Sequence, residues 1–204
     1  MSELNSIQTF EKVENYNFHP TLDRFIKVLK NISLWNDQLE QEFSDFNWKK
    51  EGAFIFNNLA TLDYYTTQFG EIKIRPHITV YSKDFDTFNE DWVSIKLLIK
   101  TSALRRQTDG QYHLQTFDLV EFITMQMFME FKQTGTYFAD EAQDGADFDG
   151  IRLLDTSKLW NFDYAIIPTT FENIYSNYPE THFAILNGNY IESYFLDRWR
   201  KPCR

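Results

Sequence analysis

The residues best equipped for chemistry are His77, Thr79 and His182. His77-Ile78-Thr79-Val80 lies in a stretch where apolar and polar residues alternate. In an extended chain alternate side chains share a face. His77 and Thr79 would then stand beside Lys73 and Arg75. An imidazole that moves protons, a hydroxyl and two cations on one face can hold a phosphate ester and assist its cleavage. His182, in a second apolar stretch, would supply the complementary acid or base.

His77-Ile78-Thr79-Val80 resembles one half of the two-histidine phosphoesterase signature, in which His-x-Thr or His-x-Ser occurs twice. The resemblance covers about four residues and implies a phosphoesterase-like hydrolase. The second half departs from the pattern. His182-Phe183-Ala184 carries Ala where the hydroxyl belongs, and His113-Leu114-Gln115 lacks it as well. The competing reading makes His77 an ordinary residue on a solvated strand face.

Carboxylates form the second constellation. Between Asp109 and Asp149 there are nine acids (Asp109, Asp118, Glu121, Glu130, Asp140, Glu141, Asp144, Asp147 and Asp149) and one base, Lys132. That stretch carries −8 of a net −10. Its last part, 135–150, reads as an acidic loop. Aligning Gly145 or Gly150 with the turn of an EF-hand leaves no Glu at the closing position, so that site is rejected. A looser divalent site at Asp144, Asp147 and Asp149 competes with a solvated acidic surface, and the surface reading is preferred. The Asp-Phe-Asp triplets at 84–86 and 147–149 add only a spacing. No metal or cofactor is assigned. The chain has no Walker loop, dinucleotide-binding glycine pattern, Gly-x-Ser-x-Gly elbow, His-Glu-x-x-His pair or zinc-type Cys/His cluster.

These groups need elements to position them. The 204 residues suit one domain, 1–204, and 43% hydrophobic with 25% charged residues is a globular balance. The 36 aromatics, 20 of them Phe, predict a core of large rings. The three-to-four spacing of Leu22, Phe25, Leu29, Ile32, Leu39, Phe43 and Phe46 predicts helix, capped by Thr21 and broken near Asn31-Ile32-Ser33. Ile55, Leu59, Leu62 and Phe69 extend the helical pattern over 53–68, with Gly70 as its stop. The period then becomes two. Ile72 to Tyr81 reads as a strand placed at an edge by Pro76. Val93, Ile95, Leu97 and Ile99 suit a strand, while a helix from Asp91 competes. If both segments are strands, Lys73, Arg75, Lys96 and Lys100 share their outer face.

A central helix is predicted over 117–132 with Thr116 as cap. Val120, Ile123, Met127 and Phe131 form its core stripe, and Phe122, Met125 and Met129 form a second apolar stripe. Such a helix is covered on both sides or offers Met and Phe to a partner or to another subunit. Strands are expected at 164–167, 182–186 and 190–195, the last two joined by Asn187-Gly188 as a hairpin. Thr169 and Glu172 have capping-box spacing. The expected fold is α+β, a helical N-terminal third on a mostly antiparallel sheet with a central Met/Phe-rich helix.

Composition narrows the partners. A chain this acidic repels nucleic acid and anionic lipid and attracts basic proteins. No segment is long and apolar enough to span a bilayer, the Met1-Ser2-Glu3 start lacks a secretory pattern, and Cys203 is the single cysteine. A cytoplasmic setting follows as the expectation. Arg198, Arg200, Lys201 and Arg204 make 198–204 a basic tail, in which Trp199 could anchor a partner or fold back onto the acidic segment. The preferred function is an acidic protein-binding protein, an inhibitor or immunity protein that docks on a basic partner through Phe122, Met125, Met129, Asp140, Glu141, Asp144, Asp147 and Asp149. The alternatives are the hydrolase and a non-catalytic scaffold subunit.

Overall fold

The computed structural model describes residues 4–14, 17–44, 54–57, 64–66, 72–83, 89–106, 109–140, 146–153 and 155–199. The fold is mixed α+β, built on a nine-stranded sheet in which every pairing is antiparallel. The strands are β1 (Leu4–Val13), β2 (Phe54–Asn57), β3 (Tyr64–Thr66), β4 (Ile72–Tyr81), β5 (Asp91–Lys100), β6 (Thr136–Asp140), β7 (Tyr164–Pro168), β8 (His182–Asn187) and β9 (Tyr190–Phe195). Their order is β2-β4-β5-β1-β6-β7-β9-β8, with β3 also on β4. The helices are α1 (His19–Asn31), α2 (Asp37–Ser44), α3 (Thr101–Leu104), α4 (Leu114–Glu130) and α5 (Ala146–Leu153).

Strand alternation divides the core in two. Ile74, Ile78, Val80, Val93, Ile95, Leu97, Ile99, Ile7, Phe138, Tyr164 and Ile166 meet Phe25, Val28 and Leu29 of α1 and Leu119, Val120, Ile123 and Met127 of α4. On the opposite face Phe10, Trp92, Tyr137, Ala165, Ile167 and Ile191 pack with Ile151, Leu159, Phe162 and Tyr175. This is why β5, β6 and β7 are buried nearly throughout. A strand covered on both sides favours large apolar residues at every position.

The N-terminal third is not wholly helical. It opens with β1, which pairs with β5 on one side and β6 on the other. Asn5, Ser6, Gln8, Thr9 and Glu11 are all buried there. Backbone and side-chain groups from elsewhere in the fold satisfy part of this polarity. Thr9 Oγ1 donates to Gly135 O at 2.8 Å, and Glu11 takes Arg24 through both oxygens at 2.8 and 2.6 Å. Thr21 lies inside α1 and donates to Glu11 at 3.2 Å, while Phe18 holds the cap position.

The helix expected over 53–68 is replaced by β2 and β3, both paired to β4. Ile55 is therefore on a strand, while Leu59, Leu62 and Phe69 lie outside the described residues. A three-to-four spacing of apolar residues also arises by chance in short strands and turns. The two short strands pair with 72–74 and 78–81 of β4. Residues 91–100 are strand, since β4 and β1 flank them on both sides.

The central helix begins earlier than its periodicity suggests. His113 is at its N-cap, and Thr116 lies inside it and donates to Leu104 O at 2.9 Å. The stretch expected as an acidic loop, 135–150, contains β6 and most of α5. Gly135 opens β6 at φ +93, and a Cβ there would lie 2.8 Å from Ile166 O, so only glycine fits.

Candidate functional site

His77 and His182 are not brought together. They lie on β4 and β8, with β5, β1, β6, β7 and β9 between them. Six strand spacings amount to about 29 Å along the sheet, far beyond proton-transfer reach. His77 is half-buried opposite Lys96, and Thr79 is buried opposite Ser94. The expected face of Arg75, His77 and Thr79 does form. His182 is a packing residue. Its ring stacks on Phe195 at 5.1 Å, and its Nδ1 and Nε2 lie 3.0 Å from Thr181 Oγ1 and 3.1 Å from Phe162 O. Nε2 donates to that carbonyl, so in the neutral ring Nδ1 accepts from the hydroxyl. Burial lowers its pKa and favours the same state.

The acids also disperse. Asp109 pairs with Arg106 at 2.7 Å, Glu130 with Lys27 at 2.6 Å, and Asp149 with Arg152 and Lys158 at 3.3 and 3.5 Å. Asp140 ends β6 facing Arg105 at 3.2 Å. Asp140 and Asp149 are thus engaged within the fold rather than presented by a loop. Asp147 is on the backbone of α5 with its side chain outside the described residues, and Glu141 and Asp144 lie outside them altogether. Among the described residues no group of three or more His, Cys, Asp or Glu could hold a metal ion, and no helix is long and apolar enough to cross a membrane.

A buried polar network that sequence reasoning missed surrounds Arg105. Its Nη2 donates to Tyr112 Oη at 2.6 Å, Asp163 Oδ2 at 3.0 Å and Asp140 Oδ2 at 3.2 Å. Tyr112 donates to Asp163, and Asn5 Nδ2 donates to Tyr112 Oη at 3.1 Å. Trp199 lies over Tyr112 at 4.2 Å and donates its Nε1 to Asp163 O at 2.6 Å. Trp199 is consequently a core residue, not a partner anchor. Burial would lower Arg105, but Tyr112, Asp163 and Asp140 outweigh it and hold the guanidinium protonated. Burial also raises the Tyr112 hydroxyl. The residues come from β1, the 105–112 segment, β6, the residue before β7 and the C-terminal stretch. Hydrogen-bonded pairs in it lie as far as 107 residues apart, as Asn5 and Tyr112 do, so it left no local signal.

Asp163 gives this network a pH dependence. Burial raises its pKa above the ordinary 3.8, and the Tyr112 hydrogen bond and Arg105 charge offset this only in part. The native state therefore binds the proton more readily than the unfolded chain. This group's contribution to stability grows as pH falls through its native pKa towards 3.8 and is lost as pH rises again. The stability of wild type relative to Asp163→Asn should accordingly increase between pH 7 and about pH 4.5 in urea titrations. A relative stability that falls over that interval would mean that the ion pair outweighs burial.

The remaining surface of chemical interest lies between α4 and the β8–β9 hairpin. Phe117 of α4 packs on Tyr164 and Tyr194 at 5.6 and 6.2 Å, and Phe128 packs on Tyr190 at 5.7 Å. The other flank of α4 faces α1, through Asn31–Gln126 at 3.2 Å and Lys27–Glu130. The outer strip of α4 carries exposed Leu114, Asp118 and Met129 with half-buried Phe122 and Met125. Both half-buried residues pack against the core, so the second apolar stripe is only partly available. Glu121 and Glu192 lie near Tyr164, whose hydroxyl donates to Glu192 at 3.2 Å. Burial, followed by the charges of Glu192 and Glu121, pushes that hydroxyl upward. Beyond β9 on the same face, Phe183 and Ile185 are exposed. Neither α4, β8 nor β9 contains a Lys or Arg. Comparison with protein-family models, curated proteins and solved structures gives no match.

Proposed function

We propose that this is a non-catalytic binding protein that docks on a basic protein partner, as inhibitors and immunity proteins do. The observation that supports it is the two-walled surface of α4 and the β8–β9 hairpin. Asp118, Glu121 and Glu192 stand there among Leu114, Phe122, Met125, Met129, Phe183 and Ile185, and neither wall carries a cation. Carboxylates speed encounter with a basic surface by roughly 10 to 1,000-fold, and apolar contacts then slow departure. The docking surface is thus sited on α4 and the hairpin, while Asp140 and Asp149 serve the fold. The separation of His77 from His182 weighs against the hydrolase alternative.

The test compares wild type with Asp118→Lys/Glu121→Lys/Glu192→Lys as baits in extract of the native host, with thermal melts as the folding control. Wild type should retain one basic protein stoichiometrically at about 50 mM salt and release it progressively as salt rises. The variant should retain at least about tenfold less. Equal retention by both baits, or no stoichiometric partner, would sink the reading.

A further inference from the structure

The edge strand β8 combines features that soluble proteins usually avoid. Its sequence, His182-Phe183-Ala184-Ile185-Leu186-Asn187, contains no charge, proline or glycine. Its six residues pair with β9 in unbroken register, so no bulge bends it. Phe183, Ile185 and Leu186 are 41%, 45% and 52% exposed. Exposed edges are normally blunted by lysine, proline or a bulge, because a bare edge templates another strand. Here none of these devices is present.

The backbone of β8 specifies its complement. In a two-residue hairpin the pair flanking the turn exchanges both its hydrogen bonds. Asn187, Ile185 and Phe183 thus bond towards β9, opposite Tyr190, Glu192 and Tyr194. Ala184 and Leu186 direct their N–H and C=O groups outward. His182 N–H also points outward, but it already donates to Pro179 O at 2.9 Å. The free outward donors are therefore those of Ala184 and Leu186, beside the carbonyls of the same two residues and of His182.

We infer that β8 is a self-association edge whose occupant is β8 of a second copy of this chain. A two-fold axis through Ile185 sets Ala184 against the second copy's Leu186 and closes four hydrogen bonds. Opposed residues of an antiparallel pair lie on one face. Small Ala184 thus meets large Leu186 on one face, and the two Ile185 side chains meet on the other. A register centred on Ala184 would need the His182 N–H that Pro179 occupies. The outward groups and side-chain sizes read the same from both copies, as an isologous contact requires. An uncharged strand offers a charged partner nothing to pair with. The strand is about 20 Å long, so the contact falls below the roughly 1,200–2,000 Å² of stable complexes and the dimer is weak.

Charge gives this dimer a signature. Each copy carries −10, so salt that screens their repulsion strengthens self-association. Docking of a basic partner has the opposite salt dependence, and the two can fail separately.

Light scattering on the full chain under reducing conditions, which keeps Cys203 from linking copies, tests the inference. The weight-average mass should rise from 24.5 kDa towards twice that value between about 10 µM and 0.5 mM, and further at 0.5 M salt. Ile185→Lys sets like charges across the axis, and Ala184→Pro deletes an outward N–H without touching the bonds to β9. Both variants should remain monomeric at 0.5 mM with unchanged melting profiles. A wild type that stays at 24.5 kDa, or an Ala184→Pro variant that dimerises as wild type does, overturns the proposal. Asp118→Lys/Glu121→Lys/Glu192→Lys leaves the β8 backbone intact and should dimerise at least as well as wild type.

Discussion

Arg105→Met is expected to lower the stability of the protein by about 3–5 kcal/mol. Among the described residues the guanidinium is the cation hydrogen-bonded to a network in which Asp163 is 1% exposed and Asp140 20% exposed at the side chain, and Arg198 acts on Asp163 more weakly. Removing it leaves two carboxylates near one another in a site that water barely reaches. The loss is not the net worth of the ion pair, because forming that pair already cost the desolvation of both partners. It is the penalty of buried charge that has lost its nearest cation. Two comparisons separate these terms. Lys12 and Glu90 are about half exposed and 2.6 Å apart, so Lys12→Met should cost no more than about 1 kcal/mol. Adding Asp163→Asn to Arg105→Met should recover part of the loss, since the buried charge disappears with its partner. Urea titrations at pH 7 measure all three, and an Arg105→Met loss below about 1 kcal/mol would show that water solvates the site.

Trp199→Ala should be of similar severity, at about 3–5 kcal/mol. The indole is buried, stacked on Tyr112 at 4.2 Å and set edge-on to Phe117 at 5.1 Å, and it holds Asp163 O at 2.6 Å. Its removal opens a cavity between α4 and β6 and strips the Asp163 carbonyl of its donor. For a chain of this size the shift corresponds to a melting temperature lower by about 6–20 °C. Trp199→Phe keeps most of the volume and loses the hydrogen bond, so about 1–3 kcal/mol is expected. If Trp199 were a partner anchor, the melting temperature would hardly change and binding alone would suffer. Thermal melts followed by near-ultraviolet circular dichroism distinguish the two, because aromatic packing dominates that signal.

Legibility in the sequence followed local periodicity. β4 alternates because only its alternate residues face the large core, and the β8–β9 turn is marked by Asn187-Gly188, with Gly188 at φ +64. The core stripe of α4 was legible from Val120, Ile123 and Met127, all fully buried. β1 carried no such pattern, because five of its buried positions are polar and are served by residues from distant parts of the chain. β6 was hidden by its covered faces, which abolish alternation, and by the acidic residues that follow it. The Arg105 network was illegible for a related reason, since no spacing within the chain relates Asn5, Tyr112 and Asp163. The acids of 109–149 were visible as a block, yet most described ones pair with bases that folding brings from α1, α5 or nearby turns. A linear charge count does not register such pairing.

The central position of β1 sets a timetable for synthesis. The strand leaves the ribosome before either neighbour, since β5 spans 91–100 and β6 spans 136–140. At about 5–20 residues per second, roughly 4–17 s separate the completion of β1 from that of β5, its first partner. During that interval ten residues with strand-forming character have no partner within their own chain. Their buried polar residues, Asn5, Ser6, Gln8 and Thr9, keep the waiting segment hydrated, where a Val/Ile-rich strand would be prone to aggregate. The same side chains that make β1 hard to recognise as a central strand thus let a nascent chain carry it safely until the sheet can close around it.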